Sequence, residues 1–137
     1  MKKIIIIALA VLLMLPLISC GSKSDKVIDK VCKYAEKENV DVFELEMLFK
    51  DFDWFEETYD VDATPTMIVW ALVDDDARAE IYEFETSKEA KEAIKGIEDY
   101  IKDADDEESD YYEDWIVVRK GNVVVAGTEE FVEYVTK

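Results

Sequence analysis

The side chains able to do chemistry are few in kind. The 137-residue chain has no histidine and only two cysteines, Cys20 and Cys32. Without imidazole it lacks the commonest general base and the commonest transition-metal ligand, so zinc or copper chemistry is not expected. Past the leader, the serines are Ser22, Ser24, Ser87 and Ser109, and no Gly-x-Ser-x-Gly elbow, glycine-rich phosphate loop or His-containing zinc motif accompanies them. Carboxylates are abundant, 34 in all. Abundance makes any one pair uninformative, because a carboxylate becomes a useful acid or base only through burial or a close neighbour. The expectation is a protein that is not an enzyme.

One acidic run has the ligand type that a hard cation needs. Residues 103–114 carry eight acids without helical or strand period, and Asp103, Asp105, Asp106, Glu107, Glu108 and Asp110 offer oxygens to calcium. The EF-hand order fails: counted from Asp103, the position that needs glycine holds Glu108, and the last position holds Asp114 in place of glutamate. A solvated loop with no assigned metal is the expectation, and calcium binding is the alternative.

The remaining chemistry is at the start of the chain. Lys2 and Lys3 precede an apolar stretch from Ile4 to Leu15, followed by Pro16 and Leu17-Ile18-Ser19-Cys20-Gly21. This is the order of a secretory signal, and the stretch is short of the roughly 20 apolar residues of a spanning helix. Leu17, Ile18, Ser19 and Cys20, followed by Gly21, resemble the lipobox of bacterial lipoproteins, and the resemblance covers residues 1–21 only. It implies that a diacylglyceryl group is attached to the Cys20 sulfur and that the leader is cut off before it. Residues 1–19 would then be a signal peptide and residues 20–24 a lipidated tether. Residues 25–137 would form one α+β domain, anchored to the cell membrane on its extracytoplasmic face.

Removing the leader takes away two lysines and no acids, so the net charge passes from −18 to −20. Such a domain is repelled by phosphate backbones and by anionic headgroups, which argues against nucleic-acid binding and against flat docking on a membrane. Cys32 alone remains beyond the lipid site, so no intrachain disulfide forms and packing must supply the stability. It falls on the apolar side of a helical pattern and reads as a buried structural thiol.

The elements that must position these groups follow from hydrophobic period and caps. Ser24 offers an N-cap to a helix with Val27, Ile28, Val31, Cys32 and Ala35 inward, ended by Asn39. Asp41 and Glu44 read as a capping box for a second helix, with Leu45, Leu48, Phe49, Phe52 and Phe55 on one stripe. A helix break near residues 50–53 is also open. A strand covered on both sides is predicted over 66–73, then a turn at Asp74, Asp75 and Asp76, and a second strand over about 79–85. Thr86 and Glu89 form a capping box for a helix carrying Ala90, Ala93, Ile94, Ile97, Ile101 and Ala104. Strands at 115–119 and 123–126 are joined by Gly121-Asn122 as a type II′ turn, and Thr128 caps a closing helix with Phe131, Val132 and Val135 inward.

Strand, strand, helix twice over predicts a four-stranded antiparallel sheet built from two ββα units. Their helices lie on one face, and the two additional N-terminal helices lie on the other. In the second helix, Phe43, Met47 and Trp54 fall opposite the main stripe. They are either covered by the first helix or form a patch that contacts a protein partner. The functional expectation is a membrane-anchored domain that binds a protein or peptide. A cation- or small-ligand-binding lipoprotein, using the acidic loop or a pocket between sheet and helices, is the alternative.

Overall fold

A computed structural model describes residues 23–40, 44–48, 52–104 and 109–137, the side chains of Ser109 and Asp110 excepted. In chain order the elements are α1 (Lys23–Lys37), β1 (Glu44–Leu48), α2 (Asp53–Tyr59), β2 (Met67–Asp74) and β3 (Ala77–Glu83). They continue with α3 (Ser87–Asp103), the single turn α4 (Ser109–Tyr112), β4 (Trp115–Lys120), β5 (Val123–Thr128) and α5 (Glu129–Val135). The class is α+β with one antiparallel sheet, in the order β1-β2-β3-β5-β4. Five strands form it, one more than the hairpins alone supply.

The fifth is β1, where a helix was expected. Over Glu44–Leu48 the helical and alternating patterns coincide, because five residues are too few to separate the two periods. As a strand the segment pairs Glu44 with Leu72 through to Leu48 with Ile68. It sends Leu45 and Met47 to one core layer and Leu48 to the other. A helix would have needed two partners for those opposed apolar sides. Asp41 lies outside the described residues, and Glu44 opens a strand in place of completing a capping box.

Local signals elsewhere act as their chemistry dictates. Asn39 adopts φ 56°, with its N–H donating to the Glu36 carbonyl at 3.0 Å and that of Val40 to Ala35 at 2.9 Å. This left-handed closure satisfies the last carbonyls of α1. The Thr86 hydroxyl accepts from the Glu89 N–H at 3.2 Å, and Glu89 accepts from the Thr86 N–H at 3.2 Å, so the capping box of α3 is complete. Gly121 takes φ +61°, and among the described non-glycine residues only Asn39 and Asp60 have positive φ, so Asn122 keeps the negative φ of a type II′ turn. Asp74 accepts from the Asp76 N–H at 2.8 Å, which folds the β2–β3 turn.

Two expected caps do different work. The Ser24 side chain is buried in α1 and donates to Glu83 at 3.0 Å, so it ties α1 to β3. Thr128 occupies the N-cap position of α5 without capping it, and its hydroxyl accepts from the Arg78 N–H at 3.1 Å.

Helices cover both faces, but not in the expected pairs. Val27, Ile28, Val31 and Tyr34 of α1 share a layer with Phe131, Val132 and Val135 of α5, over Val69, Ile81, Val123 and Val125. Phe55 of α2 and Ala90, Ala93 and Ile97 of α3 form the second layer, over Ile68, Tyr82, Val124 and Ala126. The first and last helices are therefore partners, joined by Tyr34 and Phe131 with ring centroids 4.9 Å apart. Hydrophobic period shows which stripe a helix buries and not which of two apolar sheet faces receives it. The hairpin-plus-helix units thus send their helices to opposite sides. Cys32 is half-buried at the rim of the first layer, and burial, then Asp29 and Glu36, push its thiol up to about 11, which keeps it an unreactive thiol at neutral pH.

Candidate functional site

The helices of the second layer leave one end of that sheet face open. Alternation along β2 turns Ile68, Trp70 and Leu72 to this face; Ile68 is fully buried beneath the helices, whereas Trp70 is 42% and Leu72 38% exposed. The strand expected to be covered on both sides is therefore covered on one side only toward its end. The register sets two rows across the opening. Glu46, Trp70 and Glu80 form one, and Glu44, Leu72 and Arg78 form the next. Tyr111 of α4 and Trp115 of β4 close the far wall, and the groove so formed encloses about 490 Å³.

Its polar groups are held in place and partly unspent. The Arg78 guanidinium lies over the Tyr111 ring, 4.3 Å from the centroid, and donates to the Tyr111 carbonyl at 3.1 Å. Arg78 Nε and Trp115 Nε1 are buried N–H donors with no hydrogen-bond acceptor among the described residues. A buried donor without an acceptor costs about 1–3 kcal/mol, so the groove wall carries two costly polar positions sealed from solvent.

Glu80 is the most perturbed carboxylate. Desolvation by burial raises its pKa above the ordinary carboxylate range, opposed by the hydrogen bond it accepts from the Tyr82 hydroxyl. The Tyr82 and Tyr59 hydroxyls lie 3.2 Å apart. Since the single proton of Tyr82 goes to Glu80, Tyr59 is the donor in that second bond. Burial, reinforced by the charge of Glu80, pushes Tyr59 up to about 12, so both phenols stay protonated and a directed chain ends on the groove carboxylate.

The shift has a testable sign. A carboxyl whose pKa is raised on folding binds more protons in the folded than in the unfolded state, so its contribution to stability falls as pH climbs from the ordinary carboxylate range through the raised value. Glu80→Gln removes that titration and keeps an acceptor for Tyr82. Thermal unfolding from pH 4 to pH 8 should show the variant gaining on the wild type as pH rises. Parallel profiles would mean that Glu80 is not desolvated.

The residues singled out in the sequence fall elsewhere. Cys20, with Leu17, Ile18, Ser19 and Gly21, and also Phe43, lie outside the described residues. Met47 is half-buried against the α1–α5 layer, whereas Trp54 is 43% exposed on α2, on the other side of the sheet, with its ring 6.0 Å from that of Phe55. These two do not form one patch: β1 carries Met47 in the sheet, and a single helix would have been required to align it with Trp54. In the acidic run, Asp103 ends α3 and residues 109–112 form a helical turn, so the run is not one loop. Asp105, Asp106, Glu107 and Glu108 lie outside the described residues, as does the Asp110 side chain. Among the described residues no three potential ligands gather as for a metal, and no helix is long and apolar enough to cross a membrane.

The groove residues escaped sequence reasoning because Trp70 and Leu72 sit in an unbroken apolar run. A signal did exist. Arg78 and Glu80 alternate with Ala79 and Ile81 on β3, and two charges on the face that Trp70 shares mark that face as open there. A larger trough of about 970 Å³ runs between the end of α2 and α3, with Tyr59, Lys91, Lys95 and Tyr100 on its walls. It holds none of the buried unpaired donors. Comparisons with protein-family models, with curated proteins and with solved structures find no match to this chain.

Proposed function

We propose that this chain is the precursor of a lipid-anchored, extracytoplasmic domain that binds a protein or peptide segment in the open groove of its sheet and catalyses no reaction. One observation carries the binding reading: exposed Trp70 and Leu72 stand beside buried N–H donors on Arg78 and Trp115 and a half-buried carboxylate on Glu80 whose pKa is raised by desolvation. Aromatic surface around desolvated polar groups is the composition of a binding hot spot. A peptide matches it group by group. An apolar side chain covers Trp70 and Leu72, and a lysine or arginine answers Glu44, Glu46 and Glu80. The anchoring reading rests on the signal-like leader and on the lipobox resemblance ending at Cys20.

The test is a photo-crosslinking residue at position 72 of the anchored protein in its native host, with position 98 on α3 as control. A discrete partner should be captured from position 72 alone. Trp70→Ala should weaken that partner's binding about thirtyfold, a typical loss for an interface aromatic, and lower the melting temperature far less than Phe55→Ala does. Capture of nothing, or equal capture from both positions, would refute the groove as the binding site.

A further inference from the structure

The acidic chain gathers a basic pole among its described residues. Lys23, Lys26 and Lys30 of α1, Lys120 of β4 and Lys137 line one cleft of about 400 Å³ beside the β4–β5 turn. Asp29 is the one acidic side chain on its wall, and Lys33 already pairs with it at 2.8 Å. None of the five lysines forms an ion pair among the described residues, where the pairs are Lys33–Asp29 and Lys37–Glu38. The cluster is also fixed to the frame. The arm of Lys23 crosses Gly121, where an added Cβ would meet its Cδ at 2.7 Å, and Ser24 is bonded to Glu83 at 3.0 Å.

Its position along the strands is set by the register. β3 runs from Ala77, at the turn made by Asp74 to Asp76, to Glu83, beside Ser24. Glu83 pairs with Val123, and the Phe84 N–H donates to the Asn122 carbonyl at 2.8 Å, which brings the β4–β5 turn to the same end. The groove, around Arg78 and Glu80, therefore opens toward the opposite end of β3 from the lysines. At about 3.3 Å per residue those two ends are about 20 Å apart. Positive charge gathers at the end where the described chain begins, and three aspartates mark the other.

We infer that this lysine pole seats the domain on anionic phospholipid headgroups and holds the groove about 10–17 Å above that end, the span from Glu83 back to Glu80 and Arg78. The inference rests on the anchoring reading for its geometry: from Cys20 to Lys23 the chain reaches at most about 10 Å, comparable to the screening length of about 8 Å in physiological salt. The trough beside α3, by contrast, has five acids against three lysines on its walls. The five lysines make one orientation attractive, each strengthening surface association about fivefold when close to it. The acyl chains hold the domain at the membrane, and the lysines choose which end points down.

The experiment uses the full-chain protein, isolated from its host membranes, on vesicles of phosphatidylcholine alone or with phosphatidylglycerol added. Amines are acetylated briefly and quantified residue by residue by mass spectrometry, which also reads the mass on Cys20. On the anionic vesicles Lys23, Lys26, Lys30, Lys120 and Lys137 should be labelled at least fivefold more slowly than on neutral ones, with Lys88, Lys91 and Lys95 of α3 unchanged. Lys26→Glu with Lys30→Glu should abolish the protection of Lys120 and Lys137 at an unaltered melting temperature. Equal labelling on both vesicles overturns the pole. If Cys20 carries no acyl group the anchoring reading fails by itself, and shielding of the same five amines by added vesicles still decides the pole.

Discussion

Phe55→Ala should lower the unfolding free energy by about 3–5 kcal/mol, the range for truncating a buried aromatic, out of the roughly 5–15 kcal/mol that holds a domain of this size together. Phe55 is fully buried, and its ring centroid lies 4.6 Å from that of Tyr59, 5.2 Å from Tyr82 and 5.8 Å from Phe84. It is also the one buried residue of α2, a helix of seven residues. So short a helix is not stable by itself and depends on docking. The loss should therefore have two parts, a cavity in the second layer and the release of α2. Denaturant titration measures the first. Amide exchange measures the second, with residues 55–59 exchanging far faster in the variant. Unchanged exchange there would show that α2 is held by something other than this ring.

Gly127→Ala should cost a comparable amount, about 3 kcal/mol, at the upper end of what overpacking costs. Gly127 lies in β5 opposite Ala79 of β3. A Cβ on it would come within 2.7 Å of the Ala79 Cα and nearer still to the Arg78 carbonyl oxygen. Both are main-chain atoms, so no rotamer change relieves the clash and the two strands must part. Arg78 and Thr128, bonded at 3.1 Å, sit at that point, so the groove wall should move with the strands. The expected result is a lower denaturation midpoint together with weaker capture at position 72. A variant as stable as the wild type would mean that the strands are not this close.

How far the sequence showed all this depended on whether a signal was local. Thr86 with Glu89, Asn39, Gly121 and the stripe of α3 each act within a few residues, and each was legible. β1 was not, because its partner Ile68–Leu72 is distant in sequence and its own five residues satisfy either period. Nor was the pairing of α1 with α5, which depends on Tyr34 meeting Phe131 across the whole chain. The site was least legible. Trp70 and Leu72 look like core until it is known that α2 and α3 stop short of them, and the lysine pole assembles from α1, β4 and the last residue, three stretches that are unremarkable singly.

The place of β5 bears on when the molecule can close. It is the last strand to leave the ribosome, yet it lies inside the sheet between β3 and β4, and all six of its residues are buried. Until it arrives, β3 has a bare edge and both layers lack Val123, Val124 and Val125; the contact of Arg78 with Thr128 spans 50 positions. Contacts so distant delay folding. A sheet with this strand order cannot close over β3 until β5 is available, so both of its layers are completed late.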